Sequence, residues 1–203
     1  MSDERSAVSK QTQSSSASSI HYPLPTTHSS PIRILLSVLD FPSLTMIGSA
    51  GRVSNDQNAS MTIASGQSVR LIGLGSGCQA TIGTQKFSGT VLRFSSDTGT
   101  VEVSPVGGKT RRYRGILECR MIGNNAQMIN ELSLEDYLRG LAEEPDTELY
   151  EKQRAFAMAA RSYAAYWMQA DHRKFPGMPY DGTDSPATFQ SYAGALQEAA
   201  NPQ

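Results

Sequence analysis

The chain reads as α+β: an antiparallel β-rich region followed by a helical catalytic segment. Two textures predict this. From Pro31 to Ile129, short apolar or β-branched runs alternate with turn-prone pairs. From Leu132 to about Ala170, apolar residues recur instead at spacings of three and four. A run of strands followed by helices suits an α+β architecture. Three regions follow, divided as 1–30, 31–130 and 131–203.

Residues 1–30 are rich in Ser, Thr and Gln, with Ser14-Ser15-Ser16 at their centre. Such a composition buries too little apolar surface to offset chain entropy, and predicts a disordered tail. It lacks the apolar stretch of a signal peptide. In the β-rich region, Ile32–Leu39 is suited to a buried strand. Further candidates are 61–63, 68–72, 80–82, 90–94, 100–103, 113–122 and 127–129, separated by pairs such as Ser65-Gly66, Gly83-Thr84, Gly107-Gly108 and Asn124-Asn125. Short strands with glycine turns predict an antiparallel sheet or small barrel. The run Gly73–Gly77 has the glycines of a phosphate loop but no Lys-Ser/Thr and no following helix, so it reads as a β connection.

In the helical segment, Ser133 with Asp136 three residues on reads as a capped start. Leu134, Leu138 and Leu141 form an apolar face, and Pro145 disfavours helical geometry at Glu144, where the helix is expected to end. Asp146 or Thr147 then caps a longer helix, with Glu148 and Glu151 in its first turns. Phe156, Ala160, Tyr163 and Trp167 form its buried stripe. A loop containing Pro176, Gly177, Pro179, Gly182 and Pro186 follows, then an Ala-rich end over 193–200.

Composition excludes several classes. Of 203 residues, 38% are hydrophobic and 18% charged, with a net charge of −1, and the basic residues are scattered. Nothing in this points to a nucleic-acid partner. No apolar run approaches a membrane span. Cys78 and Cys119 lie in strand-like segments; they read as two small buried side chains or, in an exported protein, as a disulfide. His21 and His28 fall in the tail and His172 stands alone, so no metal-ligand cluster is visible.

The turn Glu143-Glu144-Pro145 is the candidate for chemistry, because it holds carboxyl groups on a rigid support, as acid catalysis requires. Around it stand Tyr113-Arg114-Gly115, the run Asn130 to Gly140 (NELSLEDYLRG), Ala159 to Ala164 (AARSYA) and Gln190-Ser191-Tyr192-Ala193-Gly194. In this order the motifs resemble the stage II sporulation protein D (SpoIID)/LytB family, over roughly 80 residues. The resemblance implies a peptidoglycan lytic transglycosylase or, alternatively, a non-catalytic cell-wall-binding module that enhances an N-acetylmuramoyl-L-alanine amidase.

By that resemblance Glu143 is the catalytic acid/base and Glu144 its variable neighbour. Gln190 and Tyr192 fall on substrate-groove positions, with Ser162 beside Arg161. Arg161 either orients Glu143 or contacts substrate; as a residue on its own it reads equally as a surface arginine or a structural ion pair. The partners implied are glycan strands and an amidase, at the cell envelope or outside the cell. The family often carries a histidine and cysteines before the Gln-x-Tyr-x-Gly element, and some members bind zinc there. Here Thr188 replaces the histidine, so no metal and no other cofactor is expected. The segment that follows this element in the family is largely missing from the sequence, which reads as truncated at its C-terminus.

Overall fold

The computed structural model describes residues 30–37, 43–97, 99–145 and 147–195. The expected tail over 1–30 lies almost wholly outside these residues, as do Val38 and Leu39 at the end of the first expected strand, the capping candidate Asp146 and most of the Ala-rich end.

Thirteen strands and two helices follow in order: β1 (Ile32–Leu36), β2 (Ser43–Ile47), β3 (Gly51–Asn55), β4 (Ser60–Ile63), β5 (Ser68–Leu74), β6 (Gly77–Ile82), β7 (Gln85–Gly89), β8 (Val91–Ser96), β9 (Thr100–Ser104), β10 (Arg111–Tyr113), β11 (Ile116–Ile122), β12 (Asn125–Leu132), α1 (Leu134–Arg139), α2 (Tyr150–Trp167) and β13 (Gly182–Thr183). They build a seven-stranded sheet, ordered β13-β1-β12-β11-β8-β3-β4, and a six-stranded sheet, ordered β10-β9-β2-β5-β6-β7. All neighbours are antiparallel except β13, which runs parallel to β1 with Ile34 opposite Gly182.

Alternation explains the layers. Ile32, Ile34 and Leu36 of β1 and Leu92 and Phe94 of β8 face inward from one sheet; Leu44, Met46, Val69, Leu71, Val101 and Val103 face inward from the other. The two apolar faces meet in one core. Cys78 of β6 and Cys119 of β11 form a disulfide across it, with Cα atoms 6.2 Å apart. Of the two readings the sequence left open, the disulfide is the one realised. On the opposite face of the seven-stranded sheet, Arg33 and Arg93 each bridge Glu118 and Glu131. Glu118 is only 2% exposed, so its charge depends on this pairing.

The strand-rich expectation matches the structure, while the helical catalytic segment is corrected. Within 131–203 the described residues hold one helix of 6 residues and one of 18; the rest is loop and β. The boundary drawn between 130 and 131 falls inside β12, and β13 adds to β1 from the C-terminal side. Pro176, Pro179 and Pro186 bar helix over the later loop, whose backbone instead donates from Asp181 to Arg33 O and from Asp184 to Leu35 O.

Helix boundaries also shift. Ser133 caps α1 as expected, its hydroxyl accepting from the Asp136 N–H. The helix ends at Arg139 rather than near Glu144. Its cap, Gly140, passes so close to Tyr192 that a Cβ there would sit 2.5 Å from the ring. α2 starts at Tyr150 with Leu149 as an N-cap lacking a side-chain bond, because a turn that joins Glu148 N to Pro145 O comes first. The stripe Phe156, Ala160, Tyr163 and Trp167 packs against the core as expected.

The strands β2, β3 and β7 were not anticipated; Ser, Gly and Lys conceal β3 and β7, whereas β2 alternates Leu44 and Met46 inward. The expected run 113–122 is two strands, in different sheets, because Gly115 turns the chain at φ +74. A side chain at Gly115 would meet the Glu131 carbonyl oxygen at 2.3 Å. Gly73–Gly77 is the β5–β6 connection, as read.

Candidate functional site

The acidic turn and the Gln190–Gly194 element, far apart in sequence, are neighbours in the fold. Leu141 and Tyr192 form an antiparallel bridge. Around it the Ala142 N–H donates to Ser191 O at 2.9 Å and the Ala193 N–H donates to Gly140 O at 2.8 Å. The chain leaving α1 is thereby clamped to the later element, and Glu143 emerges from the clamp. Its Oε1 accepts the Ser191 backbone N–H at 2.8 Å. Glu143 itself is exposed. A carboxylate with one oxygen fixed by a backbone donor and access to solvent can present its other oxygen to a bound substrate.

Beneath the clamp lies an aromatic layer. Tyr137, from α1, is fully buried, and its hydroxyl donates to Gln190 Oε1 at 3.1 Å. Tyr192 donates to Asn130 Oδ1 at 2.8 Å. Asn130 in turn donates to the carbonyls of Arg114 and Ile116, at 2.8 and 3.2 Å. The Tyr137 and Tyr192 rings lie 5.1 Å apart, and Phe189 and Tyr163 extend the layer at 5.2 Å from each other. Burial drives the Tyr137 phenol far above its ordinary range, and the nearby charge of Glu143 acts in the same direction. Tyr137 is therefore a fixed hydrogen-bond donor, not a proton acceptor.

The expected site residues divide into those this clamp gathers and those it does not. Glu143, Gln190 and Tyr192 are together. The side chains of Gln190 and Tyr192 face inward, 5% and 2% exposed, and are bonded to protein groups rather than lining a groove. Glu144 points away and pairs with Lys152 at 2.9 Å. Arg161 forms a two-pronged ion pair with Glu135 of α1, not with Glu143. The pair links α1 to α2. Ser162 returns its hydroxyl to Met158 O at 2.9 Å within α2. Sequence reasoning missed the Ser191 N–H, Tyr137 and Asn130 as parts of the site. Tyr137 and Asn130 were visible inside the quoted motifs; the backbone donor carried no sequence signal.

Asp184, the other acidic residue near this element, accepts from Ser37 N at 2.9 Å and from the Ser37 hydroxyl, and approaches Arg111 at 3.5 Å. Among the described residues, no group of three His, Cys, Asp or Glu side chains is placed to hold a metal ion. His172 stacks on Tyr166, ring centroids 4.4 Å apart. Thr188 shares a hydrogen bond with Thr183.

Residues 123–203 match the family model described as SpoIID, stage II sporulation protein. The matched stretch contains the whole clamp, from Asn130 to Gly194. Searches of curated proteins and of solved structures gave no match.

Proposed function

We propose, from the match of residues 123–203 to the stage II sporulation protein family model and from the clamp around Glu143, that this segment cleaves peptidoglycan glycan strands as a lytic transglycosylase. The observation that carries the reading is the Glu143 carboxylate, exposed and oriented by the Ser191 N–H at 2.8 Å on a turn bridged to the Gln190–Gly194 element.

In the proposed reaction Glu143, protonated, gives its proton to the glycosidic oxygen between N-acetylmuramic acid and N-acetylglucosamine. The C1–O bond breaks toward the leaving sugar. The Glu143 carboxylate then takes the proton of the 6-hydroxyl of the same muramic acid, and that oxygen closes onto C1 as a 1,6-anhydro ring. The acid is regenerated, and neither a nucleophilic water nor a second carboxylate enters, in contrast to ordinary glycoside hydrolysis. Tyr137, Gln190, Tyr192 and Asn130 act through the turn they hold, as positioning residues. The Cys78–Cys119 disulfide supports a location in the cell envelope or outside the cell, since such bonds persist in oxidising compartments.

The test is digestion of purified glycan strands followed by mass spectrometry. The expected ends are 1,6-anhydro sugars, one water lighter than hydrolytic ends. Glu143→Gln is expected to lower the rate by about 100-fold or more, as loss of general acid/base catalysis does, with folding unchanged. Glu144→Gln removes only the contact with Lys152 and is expected to cost far less. Equal losses from both variants, or reducing ends alone, would overturn the reading.

A further inference from the structure

A cavity lies beside the clamp, lined by residues outside the family-matched stretch; one of them, Tyr113, packs its ring against Tyr192. Arg111 and Tyr113 alternate onto one face of β10, and Lys109 joins them from the preceding turn. With Ser37, Val103, Pro105 and Val106 they line a pocket of about 280 Å³. That volume is at the small end for ligand sites and suits one functional group rather than a sugar chain.

Its chemistry is cationic and incompletely satisfied. The Lys109 ammonium has no ion pair among the described residues, and the side chain is exposed. Arg111 makes one ion pair, to Asp184 at 3.5 Å, and otherwise lies beside the Tyr113 hydroxyl, while a guanidinium has five donors. Asp184 already accepts from the Ser37 N–H and hydroxyl, so its charge is partly spent there. Two cations therefore face one engaged carboxylate.

Tyr113 is 1% exposed, and its hydroxyl lies near the Arg111 guanidinium without reaching hydrogen-bond geometry to any described residue. A buried polar group left in this state carries an uncompensated desolvation penalty. Burial raises its pKa to about 12, opposed by the positive charge of Arg111, so the hydroxyl keeps its proton. Val103, Pro105 and Val106, the last 77% exposed, supply an apolar wall beside these donors.

We infer that this pocket binds a carboxylate carried on a short apolar group, with Lys109 and Arg111 holding the anion and the Tyr113 hydroxyl donating to it. Such a group occurs at the C-terminus of an alanine-ended peptide and in a lactic-acid ether on a sugar. The choice of these two sources rests on the cell-wall reading; the site itself does not.

The experiment is a binding titration of the whole chain, followed by NMR or calorimetry, so it is independent of glycan cleavage. The probes are N-acetyl-D-alanine and 2-methoxypropionate, each compared with its methyl ester. At least one acid is expected to saturate, to bind at least tenfold more tightly than its ester, and to weaken as salt is added. The tighter acid identifies the source. Lys109→Ala, on the surface, is expected to lower affinity about tenfold, and Tyr113→Phe several-fold, with circular dichroism unchanged. Equal binding of acid and ester, no binding of either acid, or full affinity in Lys109→Ala would overturn the proposal whatever the outcome of the glycan digestion.

Discussion

Asp181 shows how a single buried group sets a pH dependence. Burial raises its carboxyl above the ordinary value, against the Arg33 backbone N–H and the charges of Arg173 and Arg33. Its Oδ2 accepts from Arg33 N at 3.0 Å and its Oδ1 faces Arg173 at 3.2 Å. Because the folded pKa lies above the unfolded one, the protonated form is favoured by the fold. Asp181 therefore contributes stability that is complete below the unfolded pKa, about 3.9, and is lost as pH rises through the folded value. Asp181→Asn keeps an acceptor for Arg33 but cannot titrate. The melting temperature of the natural chain minus that of Asp181→Asn is expected to fall as pH rises from about 3 to about 6. A difference that stays flat or grows would contradict this. At this scale the sequence was legible as residue type and not as direction. Gln190 and Tyr192 could be named as important, but their inward orientation depends on Tyr137 and Asn130, which a linear pattern does not bring near them.

Among elements, legibility followed the hydrophobic period. β1, β5, β8 and β9 carry alternating apolar residues and were seen; β7 fully buries none of its residues and β3 has Val53 as its single large apolar residue, while β2 escaped notice although Leu44 and Met46 alternate inward. The end of α1 was misread because tertiary contact overrides propensity there. Local rules allow the helix to run to the residue before Pro145. Instead the carbonyl of Gly140 is claimed by Ala193 and the N–H of Ala142 by Ser191. Gly140 is what allows this, since an added Cβ would lie 2.5 Å and 3.1 Å from Tyr192 ring atoms and 3.2 Å from Gly194 O. Tyr192 is buried among other rings and has little room to retreat. Gly140→Ala is expected to destabilise by about 1–3 kcal/mol, as overpacking does, although alanine is the better helix former. It should also slow glycan cleavage with Glu143 intact, because the turn that presents the carboxylate is displaced. Urea unfolding and the glycan digestion measure the two effects. Unchanged stability would show that the clamp is looser than these distances imply.

At the scale of the molecule, the sheets are joined by their common core and by one covalent bond. The sequence showed that the two cysteines occupy strands, but their pairing depends on β6 and β11 lying opposite each other in different sheets, which strand patterns alone do not specify. Cys78 and Cys119 are 0% and 1% exposed, and the bond closes a loop spanning 41 residues. That loop holds β7, β8, β9 and β10, so the link ties strands of both sheets to each other. On the chain-entropy account, closing a loop of this length restricts the unfolded chain by about 4 kcal/mol. Replacing both cysteines with alanine is expected to lower unfolding stability by about 2–5 kcal/mol. The native sheets should persist where residual stability allows, because β11 remains paired with β8 and β12, and β6 with β5 and β7. The proper comparison is the double variant against the oxidised chain in urea, by circular dichroism, with the natural chain in reductant as a second arm. The buried sulfurs predict that reductant acts slowly on the folded protein and quickly in denaturant, since thiolate attack needs access to a sulfur. Stability unchanged in the double variant would show that the core alone fixes the two sheets, and rapid reduction under native conditions would show that the bond lies nearer the surface than its burial indicates.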